Sequence, residues 1–258
     1  MGKTKDRDPY STCAGCLVKD WCGRRSGKTP LPADYGINPE CNGYVMLEQA
    51  FKLSNIPPEY RNANRDKFIY DQDNVRFQPY FESVFDTINE QVEKGNNLGF
   101  IHPQKGTGKT YTAVSFAMEY LLNNVLNPEA FDFENPLVLY VKYGTWANEL
   151  RQVYQLNDED YNLKILRSMQ RMKEVPLLVL DDIGSGRLTD YVRDLTYDLI
   201  DYRKEHKLST FFTSNLGIPQ LEGVDRLGDI ITSRLLYNTT VFQLGGRNRR
   251  EEKMIIID

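Results

Sequence analysis

The chain has no cysteine after Cys41, no excess of basic charge, and no apolar run near the roughly 20 residues that cross a bilayer. It begins MGKTKDRDPY, polar and without the apolar stretch of a secretory leader. A membrane span or a secreted destination is therefore not expected; a reducing, cytoplasmic compartment is. Lys plus Arg number 32 against 36 Asp plus Glu, a formal net charge of -4. Bulk charge thus disfavours a coat on duplex DNA, and any nucleic-acid contact must come from a local patch. Residues 1–28, with seven basic and three acidic side chains, are one such patch. Arg247, Arg249, Arg250 and Lys253, interrupted by Glu251 and Glu252, are another. The plain alternative at both is a solvated charged face. Only two histidines occur, His102 and His206, and neither has a partner pattern, so both read as structural.

What cysteine there is lies together: Cys13, Cys16, Cys22 and Cys41, spaced C-x2-C-x5-C-x18-C. Core cysteines would scatter through the chain. A C-x2-C turn brings two thiolates to one ion, and two more complete a tetrahedral shell, so structural zinc is expected. An iron–sulfur cluster and loose thiols are the alternatives. Residues 1–44 read as a small zinc module punctuated by Gly23, Gly27, Pro30, Pro32, Gly36 and Pro39, too polar to fold by burial alone. Residues 45–76 read as a linker in which Pro57-Pro58 breaks any helix, and 77–258 as the core domain.

In the core, Phe81, Val84, Phe85, Ile88 and Val92 mark a helix over 79–94, with Pro79 in its first turn and Gly95 at its stop. Strands are expected at LGFIH (98–102), LVLYVKY (137–143), LLVLDD (177–182), STFFTSN (209–215) and TTVFQLG (239–245). Helices are expected at 110–125, 146–154, 161–173, 188–205 and 227–236. Alternation of apolar strands with helices implies an α/β fold, a parallel sheet covered on both faces.

After the first strand comes Pro103-Gln104-Lys105-Gly106-Thr107-Gly108-Lys109-Thr110-Tyr111, a phosphate-binding loop opening a helix. Gly106 and Gly108 let backbone amides face phosphate oxygens, Lys109 neutralises the β and γ phosphates, and the Thr110 hydroxyl ligates Mg²⁺. The pattern wants glycine at 103, where proline stands. The strand 177–182 delivers two carboxylates to its end: Asp181 for Mg²⁺, Asp182 to orient or deprotonate a water. Asn215 ends the next strand, in reach of a γ-phosphate, or forms a turn. Arg234 is the candidate arginine acting from a neighbouring subunit, or an ordinary surface arginine, with Arg226 as runner-up and Arg249 or Arg250 acting in cis.

These motifs, KGTGKT, LLVLDDIG, FFTSN and SRLL in order, with the four cysteines and SNIPPEYRNA (54–63), resemble the DnaC/DnaI-type AAA+ loaders of the replicative helicase. The resemblance implies an AAA+ P-loop core behind a zinc-binding module that grips a hexameric helicase. It also implies ATP/ADP, Mg²⁺ and Zn²⁺ as cofactors, a slow ATPase stimulated by its partners, self-association through the ATPase domains, and single-stranded DNA as a ligand. It would put Ile56 or Tyr60 near adenine and a DNA contact at Lys142, Tyr143, Trp146 and Arg151, the alternative being that Tyr143 and Trp146 are core residues. The competing readings are an IstB-type transposition helper and a nucleotide-gated adaptor with negligible hydrolysis. The departures from the family, Pro103 and an Asp-Asp rather than Asp-Glu pair, bear on hydrolysis more than on binding.

Overall fold

A computed structural model of the chain describes Leu17 and residues 42–250 apart from 128, 157, 158 and 187. Cys13, Cys16, Cys22 and Cys41 lie outside the described residues, as does Lys253.

The elements run in chain order as helix α1 (Asn42–Ser54), α2 (Gln78–Glu93), strand β1 (Asn97–Ile101), α3 (Lys109–Asn124), β2 (Val138–Lys142), α4 (Tyr143–Leu156), α5 (Glu159–Glu174), β3 (Leu177–Asp181), α6 (Asp190–Glu205), β4 (Ser209–Ser214), α7 (Ile218–Leu221), α8 (Gly228–Leu235) and β5 (Thr239–Gln243). The five strands form one sheet in the order β2-β3-β4-β1-β5, with every pairing parallel. The chain thus lays down β1, crosses to the far edge, works back to β1 and ends on its other side. Ligands in such sheets sit beyond the carboxyl ends of the strands where the order reverses. Register puts Lys142 opposite Asp181, Ile101 opposite Ser214 and Ile101 opposite Gln243, so these residues share that edge.

Because strand side chains alternate, one strand feeds two cores. Leu177 and Val179 of β3, with Phe211 of β4, join the cluster under α1, α2 and α3. Leu178 and Leu180, with Phe212, join the cluster under α4 to α8. The first cluster is rich in aromatic edges: Phe81 meets Phe116 at 5.4 Å and Phe242 at 5.1 Å between ring centres. Helix α2 takes its expected form, with Pro79 in its first turn and Phe81, Phe85, Ile88 and Val92 buried; Val84 is half-buried. Residues 45–76 pack as part of the first core. Leu47, Ala50, Phe51 and Ile56 are buried there, and Arg65 bonds Glu82 and Asp86 at 2.6 and 2.7 Å. Helix α1 begins ahead of the boundary expected at 44/45.

Arg203 is the largest fully buried side chain, at 1% exposure. It donates to Thr210 Oγ1 at 2.9 Å and to the carbonyls of Met172 and Val175 at 2.8 Å each, and it also reaches the Ser209 carbonyl. It therefore staples the end of α5 and the entries to β3 and β4. Burial pushes its pKa down to about 9, so it remains charged at neutral pH.

Candidate nucleotide site

The loop between β1 and α3 carries the phosphate-binding signature. Gly106 has φ 76° and Gly108 φ 97°, backbone conformations that side-chain-bearing residues rarely adopt. A Cβ on Gly106 would sit 1.7 Å from Asn248 Oδ1, so any other residue there would have to push the Asn248 side chain aside. Pro103, Gln104 and Lys105 are exposed at the loop's entrance, and the Gln104 amide donates to His102 Nδ1 at 3.2 Å. Lys109 is buried at 6% exposure, with its ammonium donating to the Gln104 carbonyl at 2.7 Å. Burial pushes its pKa down to about 8; Arg250 adds to the fall, while Asp182 and Asp181 oppose it.

Across the sheet edge, Asp181 is held by three hydroxyls. Thr110 and Thr213 each donate to its Oδ1 at 2.7 Å, and Tyr140 donates to its Oδ2 at 2.7 Å. The Tyr140 hydroxyl is pushed well above its ordinary pKa, by burial first and the Asp181 charge second, so it remains a donor. Asp182 takes a left-handed backbone, φ 59°; its amide donates to Thr213 Oγ1 at 2.8 Å and its carboxylate accepts from Asn215 Nδ2 at 2.6 Å. Lys109, Thr110, Asp181, Asp182 and Asn215, drawn from β1–α3, β3 and β4, thus converge. Tyr60 joins their field: burial raises its pKa first and the Asp181 charge second. Ile56 is a buried core residue.

The loop fits a polyphosphate on two observations. Thr107 Oγ1 is buried with no hydrogen-bond partner, and Lys109 is a buried cation bonded to a carbonyl rather than a carboxylate. One hydroxyl (Thr110) and one carboxylate (Asp181) are a donor set suited to Mg²⁺, which keeps most of its coordination for water and phosphate.

Arg234 is not among these groups. Its Nε donates to Asp201 Oδ1 at 2.6 Å and its NH2 to the Tyr197 hydroxyl at 2.9 Å, within the α6–α8 pair. Arg226 reaches the carbonyls of Gly184 and Gly186 behind β3. The DNA patch expected at Lys142, Tyr143, Trp146 and Arg151 loses its aromatic half. α4 begins at Tyr143, which turns Tyr143 and Trp146 into the second core, and the Tyr143 hydroxyl pairs with Thr196 at 2.9 Å. Both histidines take local bonds, His206 stacking on Tyr202 at 3.9 Å. Tyr140 and Thr213 went unforeseen because both read as ordinary strand residues. The one signal for Thr213 is a hydroxyl in an otherwise buried FFTSN run.

A family model described as IstB-like ATP binding protein matches residues 139–255. The curated replicative helicase loader DnaI of Bacillus subtilis (strain 168) is 27% identical over 182 residues; the match covers 66% of this chain and 53% of the relative, so the chain matches only about half of its length. A crystal structure of the DnaC helicase loader aligns with TM-score 0.57 at 21% identity, covering 73% of this chain and all of that one. A DnaI crystal structure aligns with TM-score 0.56 at 24% identity, covering 78% and 100%. The replication initiator DnaA bound to AMPPCP and single-stranded DNA aligns with TM-score 0.54 at 17% identity, covering 75% and 52%. The structural matches show that this chain shares their fold, a parallel α/β sheet with flanking helices.

Proposed function

We infer that this chain, which stands with the DnaI/DnaC-type helicase loaders in sequence and in fold, is an ATP-dependent loader that binds a hexameric replicative helicase and helps place it on single-stranded DNA. The observation that carries this reading is the convergence of Lys109, Thr110, Asp181, Asp182 and Asn215 at the carboxyl edge of the sheet.

ATP or ADP would occupy the loop from Gln104 to Tyr111. The amides around Gly106 and Gly108 and the start of α3 bind the phosphates. Lys109 gives up the Gln104 carbonyl for phosphate oxygens, and Thr107 Oγ1 gains its missing partner. Mg²⁺, when bound, neutralises charge developing on the phosphates. Thr110 and Asp181 hold it, with Tyr140 and Thr213 fixing the direction of the Asp181 carboxylate. Asp182 orients the attacking water and takes its proton, and Asn215 holds Asp182 in place. Arg234 belongs to a neighbouring subunit's site in this reading. Its pairing with Asp201 presents it on the α6–α8 surface, and hydrolysis then needs self-association. The four cysteines ahead of α1 are read as one structural zinc within a 1–44 module that grips the helicase; that reading rests on their spacing alone.

The test is co-purification of a hexameric replicative helicase with the chain, with and without ATP, followed by helicase capture on single-stranded DNA. ATP-dependent capture supports the loader. Capture of duplex DNA without the helicase supports the IstB-type transposition helper, whose family model matches the same core. Full loading with no ATP turnover supports the adaptor, the reading to which Pro103 at the loop entrance lends weight.

A further inference from the structure

After β5 the chain returns over the phosphate loop. The Arg249 amide donates to the Gly106 carbonyl at 2.9 Å, Asn248 Oδ1 fills the space a Gly106 side chain would need, and Arg249 Nε would lie 3.5 Å from a Cβ on Gly108. Besides that loop bond, the arm is held by the turn at 71–74, some 175 residues earlier in the chain. Arg249 grips the Asp71 carboxylate in a fork, NH2 to Oδ1 at 3.0 Å and NH1 to Oδ2 at 2.8 Å. Arg247 NH2 adds a third bond to Asp71 at 3.1 Å, and the Arg247 amide donates to Asp73 Oδ2 at 3.2 Å. Gly246, at φ 132°, passes so close to Asp73 that a Cβ there would lie 2.5 Å from its carboxyl carbon. Asp71 is itself pre-set: the Asn74 side chain accepts from its amide at 2.8 Å, and its carboxylate accepts from the Asp73 amide at 3.0 Å. Although partial burial would raise its pKa, the Arg249 hydrogen bond, the Asp73 amide and the charges of Arg249 and Arg247 hold it below the usual carboxylate range.

We propose that Asp71 and Asp73 are positioning residues for the nucleotide site: they clamp the 246–250 arm by Arg247 and Arg249 so that it closes over the phosphate loop before nucleotide arrives. This rests on the ATP-binding reading of that loop and adds the device that shapes it. The chemistry favours a clamp over a blockade. The arm bonds a loop carbonyl rather than the amides that serve phosphate, and the guanidinium groups of Arg247 and Arg249 are bonded to Asp71. Removing the clamp leaves Gly106 without its Arg249 partner and frees the arm to leave the loop. Forked arginine–carboxylate bonds are directional, so shape as well as charge is lost.

The experiment uses the full chain. The double variant Asp71→Asn/Asp73→Asn should speed amide hydrogen exchange at 247–250 in the nucleotide-free protein and weaken Mg-ATP binding on the order of five- to tenfold, with the thermal unfolding midpoint little changed. Asp71→Glu should retain wild-type binding. The exchanged pair Asp71→Arg/Arg249→Asp should recover part of the affinity that either single change loses. Unchanged exchange in the double variant overturns the clamp, and tighter ATP binding overturns its direction. Lys109→Ala is the control that separates the two readings. If it binds ATP like the wild type, the loop reading fails, whereas the exchange measurement still decides the clamp. If it loses ATP while the clamp variants bind normally, only the clamp fails.

Discussion

Lys109 should make nucleotide affinity fall with pH much earlier than an ordinary lysine would. Its ammonium is buried beside a carbonyl, with the Arg250 charge nearby, and its pKa in the free chain lies at about 8 instead of 10.5. Bound phosphate favours the charged form and raises that value, so binding takes up a proton wherever free Lys109 is neutral. Below pH 8 the lysine is already charged and affinity should be flat. At pH 9 only about a tenth of the free chain carries the proton, so affinity should drop about tenfold, whereas a lysine at 10.5 would lose only a few per cent. The nucleotide's terminal phosphate, ionising near pH 6, adds nothing in this window. Titration with a fluorescent ATP analogue at pH 7, 8, 9 and 9.5 reads the effect directly, and Arg250→Ala should move the break upward. A flat affinity to pH 9.5 would refute the reasoning. The same shift acts on stability with a defined sign. The folded chain holds fewer protons than the unfolded one between pH 8 and 10.5, so the burial penalty, roughly 3 kcal/mol, is fully present below 8 and is relieved as pH rises. Lys109→Met should therefore stabilise the nucleotide-free chain, by about 1–3 kcal/mol in urea unfolding, while it abolishes binding.

Arg203→Met should destabilise the fold by about 3 kcal/mol or more, because it strands buried carbonyls at the end of α5 and the start of β4; denaturant unfolding would show no loss if the staple were unimportant. Arg234→Ala should bind ATP normally and lose partner-stimulated turnover, and mixing it with Asp182→Asn should restore part of the rate; no recovery in a co-assembled mixture would place Arg234 outside the reaction. Metal analysis should find one zinc per chain, lost on Cys16→Ser with ATP binding intact; iron or no metal would overturn the zinc reading.

Much of the sheet was legible in the sequence because its signals are local. Apolar runs such as LLVL bury a strand on both faces, and Gly106 and Gly108 are demanded by the positive φ of a loop that turns its amides inward. The place of Asp181 and Asp182 at the end of a strand was legible for the same reason, since they close an apolar run. What escaped depends on strand neighbours and chain return. Tyr140 reaches Asp181 only because β2 lies beside β3, and Asp71 meets Arg247 across 176 residues. Tyr143 and Trp146 left a stacking platform and a core role both open, and α4, beginning at Tyr143, places both rings in the second core. Residues 45–76, broken by Pro57-Pro58, read as a linker, yet Phe51 and Ile56 within them are buried in the first core.

Equilibrium binding of Mg-ATP to the wild-type chain and to Lys109→Ala, both shown folded by thermal melts, tests the central claim most directly. The account predicts saturable binding by the wild type and a loss of at least a hundredfold in the variant, since the buried ammonium is the main counter-charge for the β and γ phosphates. Equal affinity in the two proteins would contradict it.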